Sequence, residues 1–106
     1  MIEPEVELKA INVYGWRNQL IKAMEEAAEL IQAIAKTQTA KPSTDEEAEK
    51  LYEAVLEEAA DMEIMLDQIK LICYHGAERV QAYKTYKLER LERRLREAGS
   101  CNTTDS

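Results

Sequence analysis

Residues 56–72 read Leu-Glu-Glu-Ala-Ala-Asp-Met-Glu-Ile-Met-Leu-Asp-Gln-Ile-Lys-Leu-Ile, and the period of this stretch decides the fold. With the residues before it, Leu51, Val55, Met62, Met65, Ile69 and Ile72 follow steps of three, four and seven. That spacing is the buried stripe of an amphipathic helix. Glu58 fills the stripe position between Val55 and Met62, and Asp61 lies beside it, between Ala54 and Met65 in the same sector. A charge interrupting an apolar seam is expensive unless it is paired or takes up a proton.

A matching segment lies upstream. Glu25-Glu26-Ala27-Ala28-Glu29 precedes Glu57-Glu58-Ala59-Ala60-Asp61 in the same style. Residues three apart share one side of a helix, so Glu26 with Glu29, and Glu58 with Asp61, each offer two carboxylates to one point. Four converging carboxylates repel one another and lose hydration unless a cation sits between them. Hard oxygen ligands of this kind suit Mg²⁺, with Mn²⁺ as a second choice. In the first helix the main apolar stripe is Leu20, Met24, Ala27, Ile31 and Ile34. Glu26 and Glu29 stand at its border, in a sector shared with Gln19, Lys22 and Ala33.

Composition supports helix throughout. The 106 residues include no Phe, three Gly and two Pro, and Ala, Glu, Leu, Lys and Ile dominate. That length allows one domain with a modest core. We expect a single helical domain over 1–99 and a disordered polar tail over 100–106. The net charge of −7 argues against nucleic acid as a partner. No apolar run approaches a membrane span, and the acidic N-terminus lacks a secretory pattern, so a cytoplasmic location is expected. Cys73 and Cys101 are the two cysteines, one in a helix and one in a polar tail, which argues against a structural disulfide. The last helix is locally basic: Lys84, Lys87, Arg90, Arg93, Arg94 and Arg96 stand against Glu89, Glu92 and Glu97.

The expected fold is all-α. An antiparallel bundle of three main helices follows a short N-terminal helix, and oligomerisation completes it. The short helix spans about Pro4–Val13, and Gly15 breaks it. The main helices run from about Trp16 to Lys36, Asp45 to Tyr74 and Ala77 to Ala98. Residues 37–44 form the interior loop, with Thr44/Glu47 and Ser43/Glu46 as competing capping boxes. At His75-Gly76 the glycine is expected to take the left-handed conformation. The two acidic pairs come level only if the second long helix overhangs the loop by a turn or more.

These residues carry a resemblance. Glu25-Glu26-x-x-Glu29, then Glu58-x-x-Asp61, resembles the EExxE…ExxD pattern of the MazG-like all-α nucleoside triphosphate pyrophosphatases. The flanking stretches NQLIKAMEEAAELIQAIAK (18–36) and LEEAADMEIMLDQIKLI (56–72) look like the small single-domain phage and bacterial members. YKLERLERRL (86–95) is similar to their basic third helix. The resemblance covers about residues 11–96. It implies Mg²⁺-assisted hydrolysis of a (d)NTP to the monophosphate and pyrophosphate, for nucleotide-pool house-cleaning, by a homodimer or homotetramer. By the same resemblance Glu26, Glu29, Glu58 and Asp61 are metal ligands, and Glu25 supports them or helps activate water. Lys87 and Arg90, joined by Arg94, reach substrate phosphates. Leu91 stands where many members carry Asn one turn after the lysine.

Before the acidic segment, Trp16 is a candidate for stacking on a base and Gln19 for bonding its edge; Trp16 is also an ordinary core or interface residue. His75 is the sole histidine, so direct attack by water is favoured over a covalent intermediate. The shortage of histidine also sets aside a di-iron bundle, which needs two Glu-x-x-His elements. The alternative function is a non-catalytic helical oligomerisation module, its acids paired with Lys84, Lys87 and Arg90 of a neighbouring subunit.

Overall fold

The computed structural model describes residues 1–102, with side chains up to position 99. They form four helices and no strand: α1 (Glu3–Tyr14), α2 (Trp16–Thr39), α3 (Asp45–Ile72) and α4 (Gly76–Asn102). None is long and apolar enough to cross a membrane. The chain divides into two compact units, Met1–Tyr74 and His75–Ser106.

Gly15 separates α1 from α2 with φ at +91°, a conformation that costs glycine little and other residues much. Its N–H closes α1 on the Ile11 carbonyl, and its carbonyl receives the Gln19 N–H of α2. Helix α2 outlasts the expected end at Lys36. The hydroxyls of Thr37 and Thr39 donate back to the Ile34 and Ala35 carbonyls, so threonines expected in the loop stay helical. Thr44 caps α3 by accepting from the Glu47 N–H at 3.1 Å. The Glu47 carboxylate reaches past Thr44 and accepts from the Ser43 N–H and hydroxyl, both at 2.9 Å. One glutamate thus joins both expected capping signals.

Two boundaries differ from expectation. The left-handed residue after α3 is His75, with φ at +50°, while Gly76 begins α4. Histidine is among the residues that tolerate this region best, and its Nδ1 lies 2.8 Å from a Glu78 carboxylate oxygen. At the other end, α4 passes through Gly99 to Asn102, so the expected tail is helical where it begins. Positions 103–106 lie outside the described residues.

Within the first unit α2 and α3 share the main contact, and α1 packs on both. The pairing is antiparallel. Gln19 meets Gln68, Glu26 meets Glu58 and Asp61, and Ala33 shares a cavity with Leu51 and Ala54. Stripe residues of α3 face inward: Met65 is buried, and Leu51, Val55, Met62, Ile69 and Ile72 are half-buried.

On α2 the inward face is a different one from the apolar stripe. Gln19, Ala23, Glu26 and Ala33 are its buried residues. Met24, Ile31 and Ile34 remain 65%, 67% and 45% exposed. Small alanines at 23 and 33 let the helices approach closely, which carries the acidic border of α2 into the contact. Of the apolar stripe Leu20, Met24, Ala27, Ile31 and Ile34, only Leu20 and Ala27 are half-buried, so the stripe as a whole is not the face that packs in this unit.

Candidate metal centre

Helices α2 and α3 position the centre between them. One carboxylate oxygen each from Glu26, Glu58 and Asp61 lies within 4.8 Å of the other two. Glu26 is buried, Glu58 half-buried and Asp61 exposed, so the cluster grades from the helix contact toward solvent. Glu29 stands beside it. The charge of Glu26, then that of Glu58, holds the Glu29 carboxyl above its ordinary value of 4.5. The structure thus gathers three of the four acids that the sequence pairs, with Glu29 adjacent.

Two oxygens make the centre more than an acidic patch. Glu26 Oε2 and Glu58 Oε2 are buried and have no hydrogen-bond partner. Glu26 Oε1 is satisfied by the Lys22 ammonium at 3.0 Å, and that hydrogen bond raises the Lys22 pKa above its ordinary range. A buried carboxylate oxygen without a donor costs about 1–3 kcal/mol or more. Convergent, unpartnered, desolvated oxygens of one charge are relieved by a hard divalent cation. The donor set of Glu26, Glu58 and Asp61, with Glu29 adjacent, fits Mg²⁺ or Mn²⁺.

The centre lies between two cavities. One, of about 450 Å³, is bounded by Glu26, Asp61 and Lys22 at one side and by Tyr14, Gln19, Ile64, Met65 and Gln68 elsewhere. Its volume falls in the usual range for small-molecule sites. The other, of about 310 Å³, touches Glu29, Glu58 and Lys36. In the first cavity Gln19 Nε2 donates to Gln68 Oε1 at 2.6 Å. Each amide keeps further donors or acceptors, so the pair presents a polar edge between apolar walls.

Other sequence candidates fall elsewhere. Glu25 is turned outward, its side chain 61% exposed and 3.9 Å from Lys22. Trp16 lies over a separate cavity with Leu8, Ile11 and Leu71, and the Arg17 guanidinium stands 5.0 Å from its ring centre. Tyr14, not Trp16, borders the cavity of the acids. Lys87, Arg90 and Arg94 are carried by α4 in the second unit. There Lys87 borders an apolar groove with Tyr83 and Leu88, Arg90 lies 6.0 Å from the Tyr86 ring centre, and Arg94 is exposed.

Gln68 is the residue the sequence reading missed. Its signal was there: it stands seven residues after Asp61, hence on the same helix face. Lys22 stands four before Glu26, the spacing of an ion pair. Neither family models, curated proteins nor solved structures give a match to this chain.

Proposed function

We propose that this protein is a divalent-metal-dependent nucleoside triphosphate pyrophosphohydrolase, converting a (d)NTP and water to the monophosphate and pyrophosphate. One observation carries the reading: carboxylates of Glu26, Glu58 and Asp61 converge from two helices with two buried oxygens unpartnered. The resemblance of Glu25–Glu29 and Glu58–Asp61 to the MazG-like pattern gives that centre its substrate class.

Glu26, Glu29, Glu58 and Asp61 would hold Mg²⁺. The ion supplies charge neutralisation on phosphate oxygens, the main requirement of phosphoanhydride hydrolysis. The remaining work falls to the chain. Gln19 and Gln68 offer hydrogen bonds to a base edge, and Ile64, Met65 and Tyr14 offer contact surface around it. Lys22 holds Glu26 in place through its 3.0 Å ion pair. Lys87 and Arg90, joined by Arg94, are the proposed phosphate ligands and would offset charge building on the leaving pyrophosphate. Glu25 is the weakest member of the set, since its side chain faces solvent.

Assembly as a homodimer or homotetramer belongs to this proposal. The exposed Met24, Ile31 and Ile34 of α2 follow the helix period and form one apolar face, which a second copy would cover. A house-cleaning role in the cytoplasm completes the reading.

A panel of natural and damaged (d)NTPs, assayed for pyrophosphate with and without Mg²⁺, tests it. The wild-type chain is expected to release pyrophosphate from at least one, and Glu58→Gln to lose that release while keeping its helical circular dichroism. Failure of every nucleotide, with assembly rather than turnover altered in Glu58→Gln, would favour the non-catalytic oligomerisation module instead.

A further inference from the structure

A second acidic cluster lies where α1 meets α3, outside the set assigned to hydrolysis. Glu3 and Glu7 stand one turn apart on α1, and Asp67 faces them from α3. One carboxylate oxygen of each lies within 4.8 Å of the other two. Glu7 is only 6% exposed, and its Oε1 is buried without a hydrogen-bond partner.

The cation already nearby does not satisfy the group. Lys70 Nζ stands 3.9 Å from Asp67 Oδ1, the long limit of an ion pair. Three carboxylates and one ammonium leave two negative charges. The half-charge at the N-terminus of α1 is small against that. Burial first, then the charge of Asp67, holds the Glu7 carboxyl above its ordinary value of 4.5. One proton shared between Glu7 and Asp67 would leave Glu3 unserved, whereas a divalent ion would serve all three carboxylates and balance the remaining charge.

We propose that Glu3, Glu7 and Asp67 form a second site for a hard divalent cation, which fastens α1 to α3. Glu7 and Asp67 supply the inner oxygens. Glu3, exposed at the first turn, closes the site on the solvent side and leaves a path for entry. Water completes the coordination, as Mg²⁺ and Mn²⁺ sites with few protein ligands require. The site does not rest on the hydrolase reading, because it shares no ligand with the first centre.

Mn²⁺ titration of the full chain, with the bound ion counted by electron paramagnetic resonance at neutral pH, tests this. Glu58→Gln disables the first centre and is expected to retain one bound Mn²⁺. Adding Asp67→Asn to that variant is expected to abolish the retained ion. Adding Glu3→Gln, at an exposed position where folding is not at stake, is expected to weaken it by about tenfold or more. In the otherwise wild-type chain, Asp67→Asn should lower the count by one, and Glu3→Gln should weaken one ion only. Circular dichroism of each variant reports its fold. The proposal is overturned if Glu58→Gln, still folded, binds no Mn²⁺, or if its Mn²⁺ binding survives Glu3→Gln and Asp67→Asn unchanged. Failure of the hydrolase reading looks different: the first centre would add nothing to the count, and wild type and Glu58→Gln would bind Mn²⁺ alike.

Discussion

Replacing Glu58 by glutamine should stabilise the metal-free protein, although it deletes a side chain assigned to catalysis. Glu58 faces Glu26 and Asp61 with oxygens within 4.8 Å. At that separation and an effective dielectric of about 20, each like-charge pair costs about 3.5 kcal/mol. Two pairs give roughly 7 kcal/mol before screening. Asp61 is exposed and Lys22 lies 3.0 Å from Glu26, so much of this is screened. The expected gain for Glu58→Gln in EDTA is therefore about 2 kcal/mol, a rise in Tm of about 8–16 °C for a domain of this size. Mg²⁺ should narrow or reverse the gap. Filling the first centre at a hundred times its Kd adds about 2.7 kcal/mol to wild type, and the variant lacks that increment. Thermal melts of both proteins in EDTA and in saturating Mg²⁺ check the crossover. A variant that melts below wild type in EDTA, with an equal Mg²⁺ increment in both proteins, would refute the reasoning.

Three further outcomes are expected. Glu29 and Glu7 hold their protons past the ordinary value of 4.5, so their contribution to metal-free stability is full below that value and is lost as pH rises through the folded pKa. Glu47, lowered chiefly by the Ser43 N–H, contributes with opposite sign, and melts in EDTA from pH 4 upward with Glu58→Gln as control should show a flatter decline in the variant. Gln19→Ala leaves Gln68 Oε1 without its buried donor and should cost about 1–3 kcal/mol, read as a lower urea midpoint at unchanged slope; an unchanged midpoint would mean the amide pair is not buried in solution. Thr44→Ala removes the acceptor for the Glu47 N–H and should cost about 1 kcal/mol, with no effect on Mg²⁺ affinity by calorimetry.

The helices were legible in the sequence because their determinants are local. Gly15 marks the break between α1 and α2, and Thr44 with Glu47 marks the start of α3, each through a hydrogen bond to a near neighbour. The end of α2 was misjudged because Thr37 and Thr39 can bond backward into a helix as readily as they form a loop. The face of α2 that packs was misjudged for another reason. Periodicity shows that Leu20, Met24, Ile31 and Ile34 form an apolar face, but not whether the same chain or another copy covers it. Alanines at 23 and 33 carry little hydropathy signal, yet they set the close approach of α2 to α3. Meeting of Glu26 with Glu58 and Asp61 was legible from the acid spacing; the Gln19–Gln68 bond spans 49 positions, and no local pattern announces it. The cluster of Glu3, Glu7 and Asp67 escaped for the same reason, since its members read singly as solvated acids.

The central claim is that carboxylates of α2 and α3 form a divalent-cation centre. Crystals grown with Mn²⁺ and measured for anomalous scattering test it most directly. A peak among the oxygens of Glu26, Glu58 and Asp61, with Glu29 at its edge, is the predicted result. An empty map at that position, with the acids hydrogen-bonded to one another or turned into solvent, would contradict it.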